Sequence, residues 1–499
     1  MNIVMLLEMA AEAFPDRVAV TCEGQSLDYA TLLRAARAAA AAVREGGSSH
    51  LGYLAVASPA APVAMFAAAI AGVPYVPLNY RLTPDELSAL AARVDPCLLV
   101  ADDTYVSRAT FPAGVKTQNR AAFLAAALDA PSVEIEPTDQ TIAVQLFTSG
   151  TTGQPKAAIL RHENLFSYIV GSVEFASANE DDATLVSVPP YHIAAISAML
   201  SSVYAGRRIV QLPNFDVAEW LRLCRTEKVS NAFVVPTMLS RIVDHLDSTG
   251  GAADLPALRS IAYGGGRMPL SVIGRAMALL PGVDFTNAYG LTETSSTICL
   301  LGPDDHRLAA SSDDAAIRRR LTSVGRALPS VELAIFDDQG KVVGVEAVGR
   351  VHVRGPQVAG EYGGIGSLLN GEGWFDTRDR GFLDAEGYLF LDGRADDVIV
   401  RGGENISPGE IEDVLLTHPE VADVAVIGIP DDNWGEAVAA AIVMREPVDA
   451  VELQTWVRER LRSSRVPQQV RFVSALPYNE LGKLLRRVVR ADFADGSGA

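Results

Sequence analysis

The sequence predicts an α/β protein with a large N-terminal domain of βαβ-type sheets that includes a β subdomain, followed by a small α/β C-terminal domain. Three observations predict it. Short Val- and Ile-rich runs bounded by Gly or Pro alternate with Ala-rich helical patterns over about the first 280 residues, the rhythm of a largely parallel sheet. From Val324 the texture changes to alternating strands with hairpin signals, and after Gly393 a compact mixture of strand and helix patterns begins. The chain has 499 residues, 49% of them hydrophobic, which at about 150 residues per domain suits two or three folding units.

Taken in order, the first stretch that needs an argument is 51–80. It carries no charged side chain and exceeds the roughly 20 apolar residues that span a bilayer. Pro59, Pro62, Pro74 and Pro77 break it and would leave carbonyls unpaired in lipid. It therefore reads as a strand LGYLAVA, a turn SPAAP, a helix VAMFAAAIAG and a strand PYVPL. Further strands are TIAVQLF from Thr141, ATLVSVPP from Ala183, RRIVQL from Arg207, NAFVVP from Asn231 and LRSIAYGG from Leu258. Each ends in turn residues, where sites on such sheets usually lie. VELAIFDDQGK, GRVHVRG and GFLDAEGYLFLDG then read as antiparallel strands with DDQG and DAEG turns. In the last unit ADVAVIGIP and AVAAAIVM are strand-like, VELQTWVRERL is helical, and Ala491 to Ala499 is expected to fray.

Charge narrows the function. Forty-two Lys and Arg against 61 Asp and Glu give a net charge of −19, a surface that repels phosphate backbones and anionic lipid, so neither a nucleic acid nor a membrane is expected as partner. Cys22, Cys97, Cys224 and Cys299 form no close pair, so neither a zinc knuckle nor a disulfide framework is readable. The opening MNIVMLLEMAAEAF lacks a basic n-region and holds Glu8 inside its apolar stretch, unlike a signal peptide. A reducing, cytoplasmic location is expected.

Five clusters carry chemistry. In LFTSGTTGQPKAAIL, from Leu146, hydroxyls and glycines follow a strand directly. Thr148, Ser149, Thr151 and Thr152 offer donors, Gly150 and Gly153 let backbone N–H groups close on phosphate oxygens, and Lys156 adds a cation. Pro155 and Ala157 rule out the Walker pattern. A polar surface loop has the same composition, and the residues alone leave both readings open. In NAYGLTE, Asn287 to Glu293, an aromatic ring before Gly suits a purine face, and Thr292 and Glu293 suit a phosphate and Mg²⁺; a plain turn with a solvated Glu fits equally. In WFDTRD, Asp379 suits a pair of ribose hydroxyls or a turn cap. GRADDVIVRGGE, from Gly393, and NELGK, from Asn479, complete the set.

Together these clusters resemble the adenylate-forming superfamily of acyl-CoA synthetases, aryl-CoA ligases, luciferases and peptide-synthetase adenylation domains. TSGTTGQPK, YGLTE, TRD, GRADDVIVRGGENISPGEIE, WGEAV and GK occur in that family's order from about residue 10 to 490. The resemblance implies that Thr148, Ser149, Gly150, Thr151, Thr152, Gly153 and Lys156 grip the β- and γ-phosphates of ATP. It further implies that Tyr289 and Gly264, Gly265 and Gly266 line adenine, with Asn287, Ala288 and Gly290 beside them. Thr292 and Glu293 take the phosphate and magnesium positions, Asp379 and Arg394 the ribose positions, and Lys483 bridges the carboxylate and the α-phosphate. It implies domains at 1–394 and 395–499, the second a mobile lid that turns about Asp396 and brings Val400 to Glu404, with Gly402 and Gly403, over the site for transfer to a thiol. A solvated linker acid is the alternative for Asp396.

The chemistry supports the assignment of Lys483. When a carboxylate attacks the α-phosphorus two anions approach and the equatorial oxygens gain charge, so an inserted ammonium acts where transition and ground states differ most. Magnesium and the threonine loop stabilise departing pyrophosphate. No general base is needed, because the carboxylate is already ionised near neutral pH.

Two positions depart from the family pattern: Arg378 stands where Gly is common, and NELGK lacks the usual Pro/Thr/Ser context. By resemblance Tyr191 or His192, Ala194, Val234, Thr237, Tyr263, Gly264 and Gly265 lie near the acyl group. Small residues leave space and the rings offer flat faces, which suits an aromatic or compact apolar acid; His192 as a packed core residue is the other reading. Asn287 and Ala288 stand where malonate enzymes carry Arg, which disfavours a dicarboxylate. The expectation is a carboxylic acid:CoA ligase using ATP, Mg²⁺ and CoA, monomeric or homodimeric. An amide synthetase that passes the acyl group to an amine, or a nucleotide-binding protein without chemistry, are the alternatives.

Overall fold

The computed structural model describes residues 1–131, 133–135, 138, 140–148, 155–250, 254–431, 433–479 and 484–494. Among them the strands form four sheets. In the first, Val18–Cys22, Arg208–Gln211, Ala183–Val186, Asn231–Val234, Ser260–Gly264 and Asp284–Leu291 lie side by side and parallel. Gln25–Asp28 closes one edge, and Ser296–Leu301 with Arg326–Ala327 the other, all antiparallel. The second sheet has a parallel heart of Tyr75–Pro77, His50–Leu54, Cys97–Ala101 and Val115–Asn119. Ile142–Thr148 extends it in parallel and Lys156–Arg161 turns it antiparallel.

They include the βαβ strands expected from the sequence; the central ones, such as His50–Leu54 and Ala183–Val186, are buried on both faces and almost continuously apolar, whereas the edge strand Val115–Asn119 is largely polar and exposes Lys116 and Thr117. The 51–80 stretch resolves as the strand His50–Leu54, the helix Ala60–Ala71 and the strand Tyr75–Pro77. The helix buries nearly every side chain between layers, which is why its composition imitates a membrane span. Among the described residues no helix is long and apolar enough to cross a membrane.

Glu332–Phe336, Gly349–Arg354, Phe375–Leu383 and Leu389–Arg394 make the third sheet, wholly antiparallel. The fourth belongs to the small domain, where Val421–Asp431 pairs with Gly435–Met444 along its length. Alternation along Val421–Asp431 divides its side chains. Val424 and Val426 pack with Ile411, Leu415 and Leu453, whereas Ala425, Ile427 and Ile429 pack with Leu476 and Val489, so one strand serves two cores on opposite faces. The second core corrects the expected fraying: the helix Arg486–Ala494 continues through Ala491 because Val489 and Phe493 are drawn against that sheet. Residues 495–499 lie outside the described residues.

Candidate functional site

The site begins at the C-terminal end of the strand Asp284–Leu291, which runs into a 3-10 turn, Thr292–Thr294. Tyr289 and Glu293 therefore stand four positions apart on one strand-and-turn unit, and each meets a different neighbour. The Tyr289 hydroxyl donates to Asp379 Oδ2 at 2.6 Å, and Arg394 Nε lies 3.1 Å from Asp379 Oδ1. Asp379 and Arg394 are register partners on adjacent antiparallel strands, so the sheet itself fixes the pair. Burial first, then the Asp379 carboxylate, holds the Tyr289 phenol well above its usual value, and it remains a donor at neutral pH.

Asp379 owes its direction to a β-bulge. Arg350 pairs with Arg380 and His352 with Asp376, so residues 377–379 stand opposite Val351 alone. Thr377 Oγ1 donates to the Val351 carbonyl at 2.8 Å and accepts from Asp379 N at 3.1 Å, leaving Thr377 and Asp379 buried and Arg378 exposed. The bulge takes Arg378 to φ +61°, the left-handed region that glycine usually occupies.

Glu293 gathers the second group. Its carbonyl accepts from the backbone N–H of Ala359 and Gly360 at 2.9 and 3.0 Å, and its carboxylate accepts from the Tyr362 hydroxyl. The Thr148 side chain lies beside Tyr362, and the Lys156 ammonium lies 5.8 Å from the tyrosine ring centroid. Burial, then Glu293, raises the Tyr362 phenol above its ordinary value. Thr148 and Lys156 are cross-strand partners, so the loop between them leaves and returns at one point beside Glu293. Ser149, Gly150, Thr151, Thr152 and Gly153, the loop itself, lie outside the described residues, as does Lys483. Tyr478 forms a β-bridge with Leu484 across that second loop.

Of the adenine-side residues, Gly264 faces Ala288 in register, and a Cβ there would strike the Ala288 carbonyl. Gly265 has φ +82° and, with Gly266, forms an exposed turn at the strand end. Gly290 sits against the Ser296 backbone with no room for a side chain, and Asn287 Nδ2 donates to the Ser323 carbonyl at 3.3 Å. Gly402 and Gly403 are both left-handed at the tip of the hairpin between Ile399–Arg401 and Glu404–Ile406; turn geometry accounts for them.

The acyl-side expectations divide. A cavity of about 270 Å³ is bordered by Arg81, Ser187, Asn214, Thr237 and Arg241, with Tyr478 and Asn479 also lining it. His192 caps the helix Ile193–Ala205, with Ala194 half-buried in its first turn. Its Nε2 is enclosed without a hydrogen-bond partner among the described residues, and burial, then Arg81, pushes its pKa down to about 3. Three residues expected near the acyl group are buried. Val234 is fully buried in the core. Tyr191 is buried edge-on against Tyr80. Tyr263, only 1% exposed, gives its hydroxyl to His306 at 2.7 Å and belongs to the core rather than to an open pocket wall.

Tyr362, Arg81 and Arg241 escaped the sequence reading. Tyr362 lies on a two-residue strand, Glu361–Tyr362, that pairs with Ala158 some two hundred positions earlier, and nothing in its local pattern announces that partner.

Glu293 offers one carboxylate beside the stems of a hydroxyl-rich loop, the number of protein ligands with which Mg²⁺ is usually held alongside substrate phosphates. The residues present therefore fit a magnesium nucleotide.

Comparison with known proteins agrees with this geometry. Residues 7–363 match the family model of AMP-binding enzymes, and residues 410–483 that of the AMP-binding enzyme C-terminal domain. The fatty acid–[acyl-carrier-protein] ligase ScoC of Streptomyces coeruleorubidus is 31% identical over 99% of this chain and 96% of its own. The o-succinylbenzoate CoA synthetase of Bacillus subtilis, solved with its acyl-adenylate intermediate, superposes with a TM-score of 0.84 at 29% identity over 98% of both chains. The amide bond synthetase McbA of Marinactinospora thermotolerans superposes at 0.85 with 27% identity over 98% of this chain and 99% of its own. These three differ in the acceptor named, while the fold and the matched domains are common. The chain belongs to the family of AMP-binding, adenylate-forming enzymes.

Proposed function

We propose that this chain is an ATP-dependent carboxylic acid:CoA ligase that forms an acyl-adenylate and then a thioester. The observation that carries the reading is the convergence of two groups on one strand end: Tyr289 with Asp379 and Arg394, and Glu293 with Tyr362, Thr148 and Lys156. The first suits the ribose and base of a nucleotide, because the Asp379 carboxylate has acceptor capacity for two hydroxyls and Arg394 pairs with it. The second suits the phosphates. Mg²⁺, when bound through Glu293, supplies charge neutralisation at the phosphate oxygens.

The remaining work falls to the chain. Asp379 and Arg394 orient the sugar, Lys156 and the hydroxyl-rich loop draw charge from the leaving pyrophosphate, and Lys483 meets charge that develops on the α-phosphate oxygens. The hairpin stem at Tyr478 and Asn479, over the cavity beside Thr237, supports an approach by Lys483 from the small domain. That domain runs from Ala395, with Asp396 as its hinge. Arg81 and Arg241 have no carboxylate partner among the described residues, and two uncompensated guanidinium groups at one cavity favour a phosphate-bearing thiol over a neutral amine. The half-buried rings and small side chains nearby favour an aromatic or compact apolar acid.

The test is a panel of aryl, alicyclic and medium-chain acids incubated with ATP and either CoA or an amine, with pyrophosphate release followed and products identified by mass. A thioester is expected. Replacing Lys483 with Ala should lower acid-dependent pyrophosphate release by about 10²- to 10³-fold while ATP binding persists. An amide as sole product, or full turnover in the Lys483 variant, would overturn the respective assignment.

A further inference from the structure

The bulge at residues 377–379 holds a feature that ribose recognition does not use. Arg378 adopts φ +61°, a conformation in which a β-carbon crowds the backbone, although glycine would meet the requirement of the turn without strain. Its N–H donates to Asp376 Oδ1 at 2.8 Å, a contact that any residue could make. The side chain is exposed, and among the described residues its guanidinium has no hydrogen-bond or ion-pair partner. No contact among the described residues therefore accounts for a long cationic side chain at this position.

Its surroundings do suggest a ligand. The next residue, Asp379, carries the proposed ribose carboxylate. The positive charge of Arg378 also reaches the Tyr362 phenol, which donates to Glu293. Arg378 thus adjoins in the chain the residue proposed for the sugar, and its exposed cation lies within electrostatic range of the tyrosine that holds Glu293, the residue proposed for magnesium. An unpaired guanidinium with several donors in a plane is matched to phosphate oxygens.

We propose that Arg378 binds the β- and γ-phosphates of the bound nucleotide, and after reaction pyrophosphate, as a cation added to the site on the bulge that also aims Asp379. The inference rests on the nucleotide assignment made above. The side chain acts on binding and release of the phosphate chain and makes no bond to the reacting α-phosphorus.

The test uses the full chain and direct binding by calorimetry, with Mg-ATP, pyrophosphate and AMP as separate probes, for the parent and for Arg378→Gly, Arg378→Gln and Arg378→Lys. In the Gly and Gln variants ATP and pyrophosphate should weaken by about five- to tenfold, the loss of one charge-assisted contact, while AMP changes less than about twofold. The Lys variant should recover part of the loss. The thermal midpoint of the Gly variant should equal or exceed that of the parent, because the left-handed backbone is relieved. Unchanged ATP and pyrophosphate affinities in both the Gly and Gln variants would overturn the proposal. Equal weakening of ATP and AMP would also overturn it, since that pattern reports displacement of Asp379. A parent chain that binds no ATP would instead remove the nucleotide reading on which the inference stands.

Discussion

At the level of single residues, two histidines show how a partner decides what a polar group can do. The Gly302 carbonyl takes the hydrogen of His306 Nδ1 at 2.8 Å, which leaves Nε2 to accept from the Tyr263 hydroxyl; the pair is closed and has nothing to offer a ligand. His192 is the reverse case. Although the residue is only half-buried, its Nε2 is enclosed and has no hydrogen-bond partner among the described residues, and burial followed by Arg81 lowers its pKa from 6.5 to about 3. The folded state therefore releases a proton that the unfolded chain binds. Stability from this group is intact above pH 6.5 and declines as pH falls from 6.5 toward 3, with a slope of at most about 1.4 kcal/mol per pH unit. Replacing His192 with Asn, which is polar but does not titrate, should flatten urea-unfolding stability between pH 6.5 and 4.5 by up to one proton's worth. An unchanged slope would assign the effect to other groups, such as His162, which burial pushes down to about 4.

At the level of elements, what the sequence disclosed followed the range of the interaction. Period-two alternation and Gly/Pro punctuation are local, so the parallel strands, the DAEG hairpin between Phe375–Leu383 and Leu389–Arg394 and the two-faced strand Val421–Asp431 could be read directly. The bulge at 377–379 could not, because it depends on register against Gly349–Arg354, and TRD reads locally as an ordinary turn. The burial of Tyr263 was hidden for a related reason: successive strand residues face opposite ways, so its proximity in sequence to Gly264 and Gly265 says little about exposure. Glu412 illustrates a contact hidden by distance. Buried on the helix Pro408–Leu416, it accepts from Arg486 Nη2 through both oxygens at 2.5 and 2.7 Å, and from Val426 N at 2.8 Å. Arg486 opens the final helix, three residues after Lys483, and so fixes one stem of that loop. Glu412→Ala leaves this half-buried arginine with Asp397, at 3.7 Å, as its remaining ion-pair partner among the described residues, so the loss should fall below the about 3–5 kcal/mol of a fully broken buried pair and above the about 1 kcal/mol of an exposed one. Denaturant unfolding of the variant should show that loss, and a change below about 1 kcal/mol would mean that solvent replaces the carboxylate.

Across the whole molecule, the small domain is attached by few polar contacts. Ser407 Oγ donates to the Asp392 carbonyl at 2.6 Å, and Arg267 pairs with Asp413 across the junction, both side chains about half exposed, at 50% and 47%. An ion pair that open to solvent contributes about 0–1 kcal/mol, too little to commit the domain to one orientation. The strand Leu389–Arg394 hands over to the small domain through a single 3-10 turn, Ala395–Asp397. Asp397 is tied to Arg486 at 3.7 Å, whereas Asp396 is exposed, which suits the hinge proposed for it. Proline there fixes φ near −65° and removes the N–H, which hinders rotation without touching Asp379, Glu293 or Lys483. For Asp396→Pro, single-turnover formation of the acyl-adenylate should stay within about twofold of the parent, while transfer to CoA slows by about tenfold or more, as expected where a domain motion separates two half-reactions. Rapid quench with mass detection of adenylate and thioester measures both. Accumulation of adenylate would identify the turn as the hinge, and equal loss in both steps would locate the rotation axis elsewhere in the chain.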